Sequence, residues 1–196
     1  MSKLLDKDTN YTFQSYFELP HDTDEILAEF GYAQERITLP KTTAELDSLK
    51  RCIERVLPHV QQPSEVAKRE VLVAPILTEV ATVCNQTLRF EYLLKGNNWL
   101  QCRLDYIIRA ETQIVVGEAK RDDLTRGFTQ LAAEMIALGM VEGAPEIIYG
   151  AVTMGSLRVF GVLDRGAKLI TQDIGGYRVP DDLEDLVRVL VGILEG

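Results

Sequence analysis

The chain has 196 residues and a formal net charge of −9, from 21 Lys and Arg against 30 Asp and Glu. Hydrophobic residues make up 46% and charged residues 26%, a balance that excludes wholesale disorder and low-complexity architecture. The acidic total argues against a protein that coats nucleic acid non-specifically, because that binding needs clustered Lys and Arg. It is compatible with an enzyme that gathers carboxylates around a divalent cation.

The elements predicted in chain order begin with a helical annex over residues 1–60. Asp22 caps a short helix through Tyr32, with Ile26, Leu27 and Phe30 on one face and Gly31 near its end. Thr42 and Glu45 form a capping box that opens a second helix, whose apolar residues are Leu46, Leu49, Ile53, Val56 and Leu57, and Pro58 ends it. A domain over residues 61–196 follows. Ser64 caps a helix over 65–83, and Pro75 inside it removes one backbone hydrogen bond and predicts a kink. The period then changes. Strands are predicted at 88–94, 100–109 and 113–119, with a Gly96-Asn97-Asn98 turn between the first two. A helix over 124–139 carries Phe128, Leu131, Met135 and Leu138 on one face. Strands follow at 147–153, 157–163 and 168–172, and an amphipathic helix from Asp181 closes the chain. This order predicts an α/β layer around a mixed sheet.

The residues that carry chemistry lie in the middle. Asp105 falls in one strand, and Glu118 and Lys120 fall at the end of the next, two positions apart and so on one side of it. If the two strands pair through a turn at 110–112, Asp105 lies close to opposite Glu118. Two carboxylates suit Mg²⁺, with Mn²⁺ as an alternative, and the metal activates a water for phosphodiester hydrolysis. Lys120 is suited to orienting that water or to neutralising charge in the transition state. Gln130, on the following helix, is placed to reach back toward the nucleophile or a nucleic-acid backbone. Glu-x-Lys is common by chance, and the plain alternative is a surface ion pair between Glu118 and Lys120. The acid in the preceding strand, the apolar run Ile114-Val115-Val116 and the Gln-bearing helix set this instance apart. Asp122 and Asp123 read as helix caps. Cys52, Cys84 and Cys102 form no CxxC pair, so neither a zinc site nor a disulfide framework is expected, and His21 and His59 leave little for histidine chemistry. No apolar run approaches the ~20 residues of a membrane helix, and the opening MSKLLDKDTN lacks an apolar signal region. A cytoplasmic protein without a membrane partner is expected.

Asp105, Glu118-Ala119-Lys120 and Gln130-Leu131 together resemble the PD-(D/E)xK nuclease superfamily. The nearest likeness is to the nuclease domain at the start of type I restriction R subunits and to small stand-alone bacterial proteins similar to it, many of them cyanobacterial. The resemblance spans residues 64–163. It implies a restriction-endonuclease-like fold, a mixed sheet of four or five strands flanked by helices. It also implies metal-dependent hydrolysis of nucleic acid, DNA foremost, by an endo- or exonuclease, with Asp105, Glu118 and Glu65 as metal ligands. Glu65 fits the family's opening-helix glutamate, and Glu70 and Glu79 compete for that position. Arg69, Arg103, Arg121 and Arg126 are candidate phosphate contacts, and Trp99 and Tyr106 are candidate base-stacking residues. Three departures stand out. Leu104 replaces the proline before the aspartate, Glu134 stands where type I R domains often carry tyrosine, and no GxxxxGK[ST] motor motif occurs. The alternative expectation is a nuclease-like fold without catalysis, acting as a binding or assembly module. In that reading Leu183, Leu186, Leu190 and Val191 of the last helix bury against a second copy in a homodimer.

Overall fold

The computed structural model describes residues 4–6, 9–39, 47–60, 67, 69–95, 101–109, 113–118, 123–154 and 156–195. Its first two helices are set by reciprocal caps. Thr12 and Ser15 bracket the start of α1 (Phe13–Glu18), and Asp22 and Glu25 bracket the start of α2 (Thr23–Glu29), where the Asp22 amide donates to Glu25 Oε2 at 3.2 Å. Gly31, at φ +78°, turns the chain out of α2 as expected. The first sixty residues are not purely helical, however. Ala33–Ile37 forms β1, which pairs parallel with a strand late in the chain. Its sequence, Ala-Gln-Glu-Arg-Ile, is too polar to announce a strand, because at the sheet edge it is paired on one side only.

Helix α3 (Asp47–Val56) buries Leu49 and Ile53 and gives way to a 3₁₀ turn at Leu57–His59 that contains Pro58. The Thr42–Glu45 capping box and the Ser64 cap lie outside the described residues. The kink predicted at Pro75 takes another form. A π-helical turn at Arg69–Val73 leads into α4 (Ala74–Val83), and Pro75 becomes the second residue of α4. A first-turn position has no intrahelical partner for an N–H, so the proline costs little there.

Five strands form the body of a mixed, mostly antiparallel sheet. They are β2 (Thr87–Lys95), β3 (Gln101–Arg109), β4 (Gln113–Glu118), β5 (Ile147–Met154) and β6 (Leu157–Asp164). Strand β7 (Leu169–Asp173), β1 and the short β8 (Tyr177–Arg178) widen it on the β6 side, giving the order β1-β7-β6-β5-β4-β3-β2 with β8 on β6. The four or five strands expected from sequence match this central body. The β4–β5 pair is parallel. A parallel pair needs a crossover, and α5 (Leu124–Gly139) supplies it. Helix α6 (Leu183–Glu195) closes the chain.

Helices cover both faces. On one, α3, α4 and α6 pack on Tyr106, Ile108, Ala151 and Phe160. On the other, α1, α2 and α5 pack on Leu104, Ile107, Ile148 and Leu163. The Thr23 and Thr129 hydroxyls, 2.6 Å apart, tie α2 to α5. The apolar stripe of α6, including Leu183, Leu186, Leu190 and Val191, is buried in the first of these cores. That stripe is therefore spent on the chain's own sheet, the common fate of an amphipathic helix. Among the described residues, no helix is long and apolar enough to cross a membrane.

Candidate active site

Asp105 lies where the sheet breaks its own rhythm. Along a strand, residues an odd number apart face opposite ways. Yet Leu104 and Ile107, three apart, both pack in the α5 core, while Tyr106 and Ile108 pack in the other. The alternation slips once between Leu104 and Tyr106, at Asp105. Strand β2 slips at the matching place. Phe90 meets the Tyr106 ring edge-on at 5.4 Å, whereas Tyr92 and Leu94 belong with the α5 core. Between them Glu91 has φ +46°, a left-handed conformation that costs a non-glycine residue about 1–2 kcal/mol. The β2–β3 ladder pairs Phe90 with Tyr106 and Tyr92 with Leu104, and it skips the Glu91–Asp105 pair between them. Such local breaks re-aim side chains and are enriched beside active sites.

Strand β4 brings Glu118 to the neighbourhood. The β3–β4 ladder runs from Arg109–Gln113 to Tyr106–Val116, so it ends one residue short of Asp105 on β3 and two residues short of Glu118 on β4. On its other side Glu118 pairs with Thr153 of β5, and Thr153 pairs with Arg158 of β6. Arg158 is buried and donates to the Ser156 carbonyl. A buried arginine two strands from Glu118 on one ladder row escaped the sequence reading, because Arg158 sits in an apolar strand with no motif around it. Lys120 and Glu65 lie outside the described residues, as do Trp99 and Arg121.

Helix α5 approaches from the other side. Asp123 caps it, accepting from the Arg126 amide at 3.1 Å. Two turns further in, Gln130 Nε2 donates to Glu134 Oε1 at 2.9 Å. Glu134 is 2% exposed on a helix buried almost continuously from Gly127 to Gly139. Burial pushes its carboxyl up to about 8, the Gln130 hydrogen bond pulls it down, and the charge of Asp105 raises it again. Glu134 Oε2 and Gln130 Oε1 are buried and accept no hydrogen bond from the described residues. The sequence did carry a signal here, a lone acid within Leu-Ala-Ala-Glu-Met-Ile-Ala-Leu, which reads as an apolar helix otherwise.

The other candidates fall elsewhere or have other partners. Glu70 and Glu79 line a groove between α3 and α4 with Ser48 and Cys52, and neither Asp105 nor Gln130 reaches it. Arg103 pairs with Glu91 at 3.2 Å and Arg126 with Asp123 at 3.4 Å, both exposed. Tyr106 is 3% exposed, buried against Phe90, so it is not presented for stacking on a base. An aromatic group the sequence reading missed is Tyr92, whose hydroxyl accepts from Arg109 at 2.8 Å while the same guanidinium lies over its ring.

Among the described residues, no group of three or more His, Cys, Asp or Glu side chains is gathered to hold a metal ion. Asp105, Glu118 and Glu134 carry hard carboxylate oxygens, the donor type from which Mg²⁺ takes one or two before it completes its shell with water. No protein-family model matches the chain, and a search of curated proteins finds no match.

Proposed function

We propose that the chain is a metal-dependent nuclease of the PD-(D/E)xK type with a restriction-endonuclease-like fold, hydrolysing phosphodiester bonds of DNA. The observation that carries the reading is the succession β3–β4–α5. Asp105 sits at a paired break in the β2–β3 ladder, Glu118 ends the adjoining strand, and α5 returns Gln130 and Glu134 to the vicinity of Asp105. A mid-strand acid, a second acid at the end of the next strand and a following helix that carries a polar Gln–Glu turn form an arrangement suited to phosphoryl chemistry.

In this reading Asp105 and Glu118 hold Mg²⁺, or Mn²⁺, with Glu65 as a further ligand. The metal, when bound, supplies a water of lowered pKa and a positive charge for the phosphate. Lys120 orients the attacking water and offsets charge that builds on the phosphate oxygens. Gln130 is fixed by its bond to Glu134, which leaves its amide oxygen available to accept from a water and orient it. The large apolar cores on both faces hold β3 and α5 in place and keep Asp105, Gln130 and Glu134 preorganised.

The test is cleavage of end-labelled single- and double-stranded DNA, and of RNA, in Mg²⁺ or Mn²⁺. Wild type is expected to cut DNA, and Lys120→Ala to cut at least a hundredfold more slowly. Equal cleavage by the two proteins would remove Lys120 from the chemistry. A second reading, a nuclease-like fold that binds or assembles without cleaving, is favoured by the net charge of −9. It predicts no cleavage by wild type on any of these substrates.

A further inference from the structure

We propose that Glu134 is an inner carboxylate of this site and that, with Asp105 and the amide oxygen of Gln130, it forms an oxygen donor set for a divalent cation. The inference deepens the proposed function and shares Asp105 with it. It adds ligands that the Asp105–Glu118–Lys120 pattern does not contain.

Three observations carry it. First, Glu134 is almost wholly buried, yet among the described residues no Lys, Arg or His pairs with it, and its Oε2 accepts no hydrogen bond from them. Buried carboxylates are ordinarily paired or coordinate metals. Second, the Gln130 amide is turned so that its nitrogen faces Glu134, which leaves Oε1, also buried and without a partner, as a further acceptor. Third, Leu104, the chain neighbour of Asp105, packs in the same core as α5, so the Asp105 segment of β3 runs beneath the helix that carries Glu134, and the charge of Asp105 raises the Glu134 carboxyl. These groups offer only hard oxygen acceptors. Mg²⁺ and Mn²⁺ select that chemistry, whereas softer metals select sulfur or imidazole. A divalent cation between the two carboxylates turns their mutual repulsion into a shared attraction.

A purely packing role is a poor match for this position. The neighbours of Glu134 on α5, Ala132, Ala133, Met135 and Ile136, are apolar and fully buried, and any apolar side chain of similar size would fill the same space.

The test is Mn²⁺ titration of the full chain, read by the electron paramagnetic resonance of free Mn²⁺, with wild type, Glu134→Gln, Asp105→Ala and Glu118→Ala. Circular dichroism checks each fold, and Glu134→Met serves as a second neutral variant of similar size. We expect one bound Mn²⁺ in wild type and at least a tenfold loss of affinity in Glu134→Gln and Asp105→Ala. Wild-type affinity in both Glu134 variants, with loss in Asp105→Ala, would overturn the inference and leave the proposed function standing. Loss in Glu134→Gln and Asp105→Ala with full binding in Glu118→Ala would uphold the inference and break the Asp105–Glu118 ligand pair. A folded wild type that binds no Mn²⁺ would overturn both.

Discussion

Replacing Glu134 by glutamine separates the energetics of a buried acid from its chemistry. The folded chain raises this carboxyl from 4.5 to about 8, chiefly by burial. The neutral form is therefore the one the fold favours. The stabilisation from keeping Glu134 neutral is fully present below pH 4.5 and is lost as pH rises from there through about 8. At 1.36 kcal/mol per pKa unit, the shift sets an upper bound of roughly 5 kcal/mol on that loss. Glutamine has nearly the same shape, carries no titrating proton and still offers an oxygen to Gln130 Nε2. Urea denaturation in chelator-containing buffer at pH 5, 7 and 9 is the assay. The two proteins should be nearly equal at pH 5, and Glu134→Gln should be more stable by several kcal/mol at pH 9. A difference that stays constant from pH 5 to pH 9 would refute the claim that Glu134 is buried without a compensating cation in the metal-free protein.

Other predictions test the scaffold that positions the site. A methyl group on Gly161 would meet the Phe128 ring at 2.9 Å, so Gly161→Ala should lose about 1–3 kcal/mol by overpacking, and an unchanged thermal midpoint would contradict the α5–β6 contact. Deleting residues 180–196 removes the eight buried apolar side chains of α6. At roughly 1.5–3 kcal/mol each their loss should unfold the chain, and a folded, truncated protein by near-UV circular dichroism would contradict the packing of α6 on the sheet. Glu91→Gly relieves a left-handed backbone at φ +46° and should raise stability by about 1 kcal/mol. A loss of stability in urea denaturation would show that the Arg103 ion pair matters more than the backbone.

What the sequence revealed follows from what each element needs. Strands β2 to β6 and helix α5 were legible because alternating or 3.6-period apolar residues fill two large cores and turn residues punctuate them. Helix α2 was legible from its cap. Strand β1 was not, because an edge strand with a polar sequence is defined by its distant partner β7 and not by its own pattern. Pro75 marked an irregularity correctly but not its form, since whether a proline kinks a helix or starts one depends on how the preceding turn is wound. Within the site, Asp105, Glu118 and Gln130 were singled out by type and spacing. The slip in alternation at Asp105 was invisible, because Leu-Asp-Tyr-Ile-Ile reads equally well with either face buried. Glu134 was noticed only as a departure from a pattern, and its burial depends on how closely α5 is covered by α1, α2 and the sheet.

The central claim is that a divalent cation binds at Asp105, and calorimetric titration with Mg²⁺ or Mn²⁺ tests it without any choice of substrate. Wild type should release or absorb heat with a stoichiometry of one, and Asp105→Ala, folded by circular dichroism, should show none. Equal binding by the two proteins would place the cation elsewhere and contradict the account.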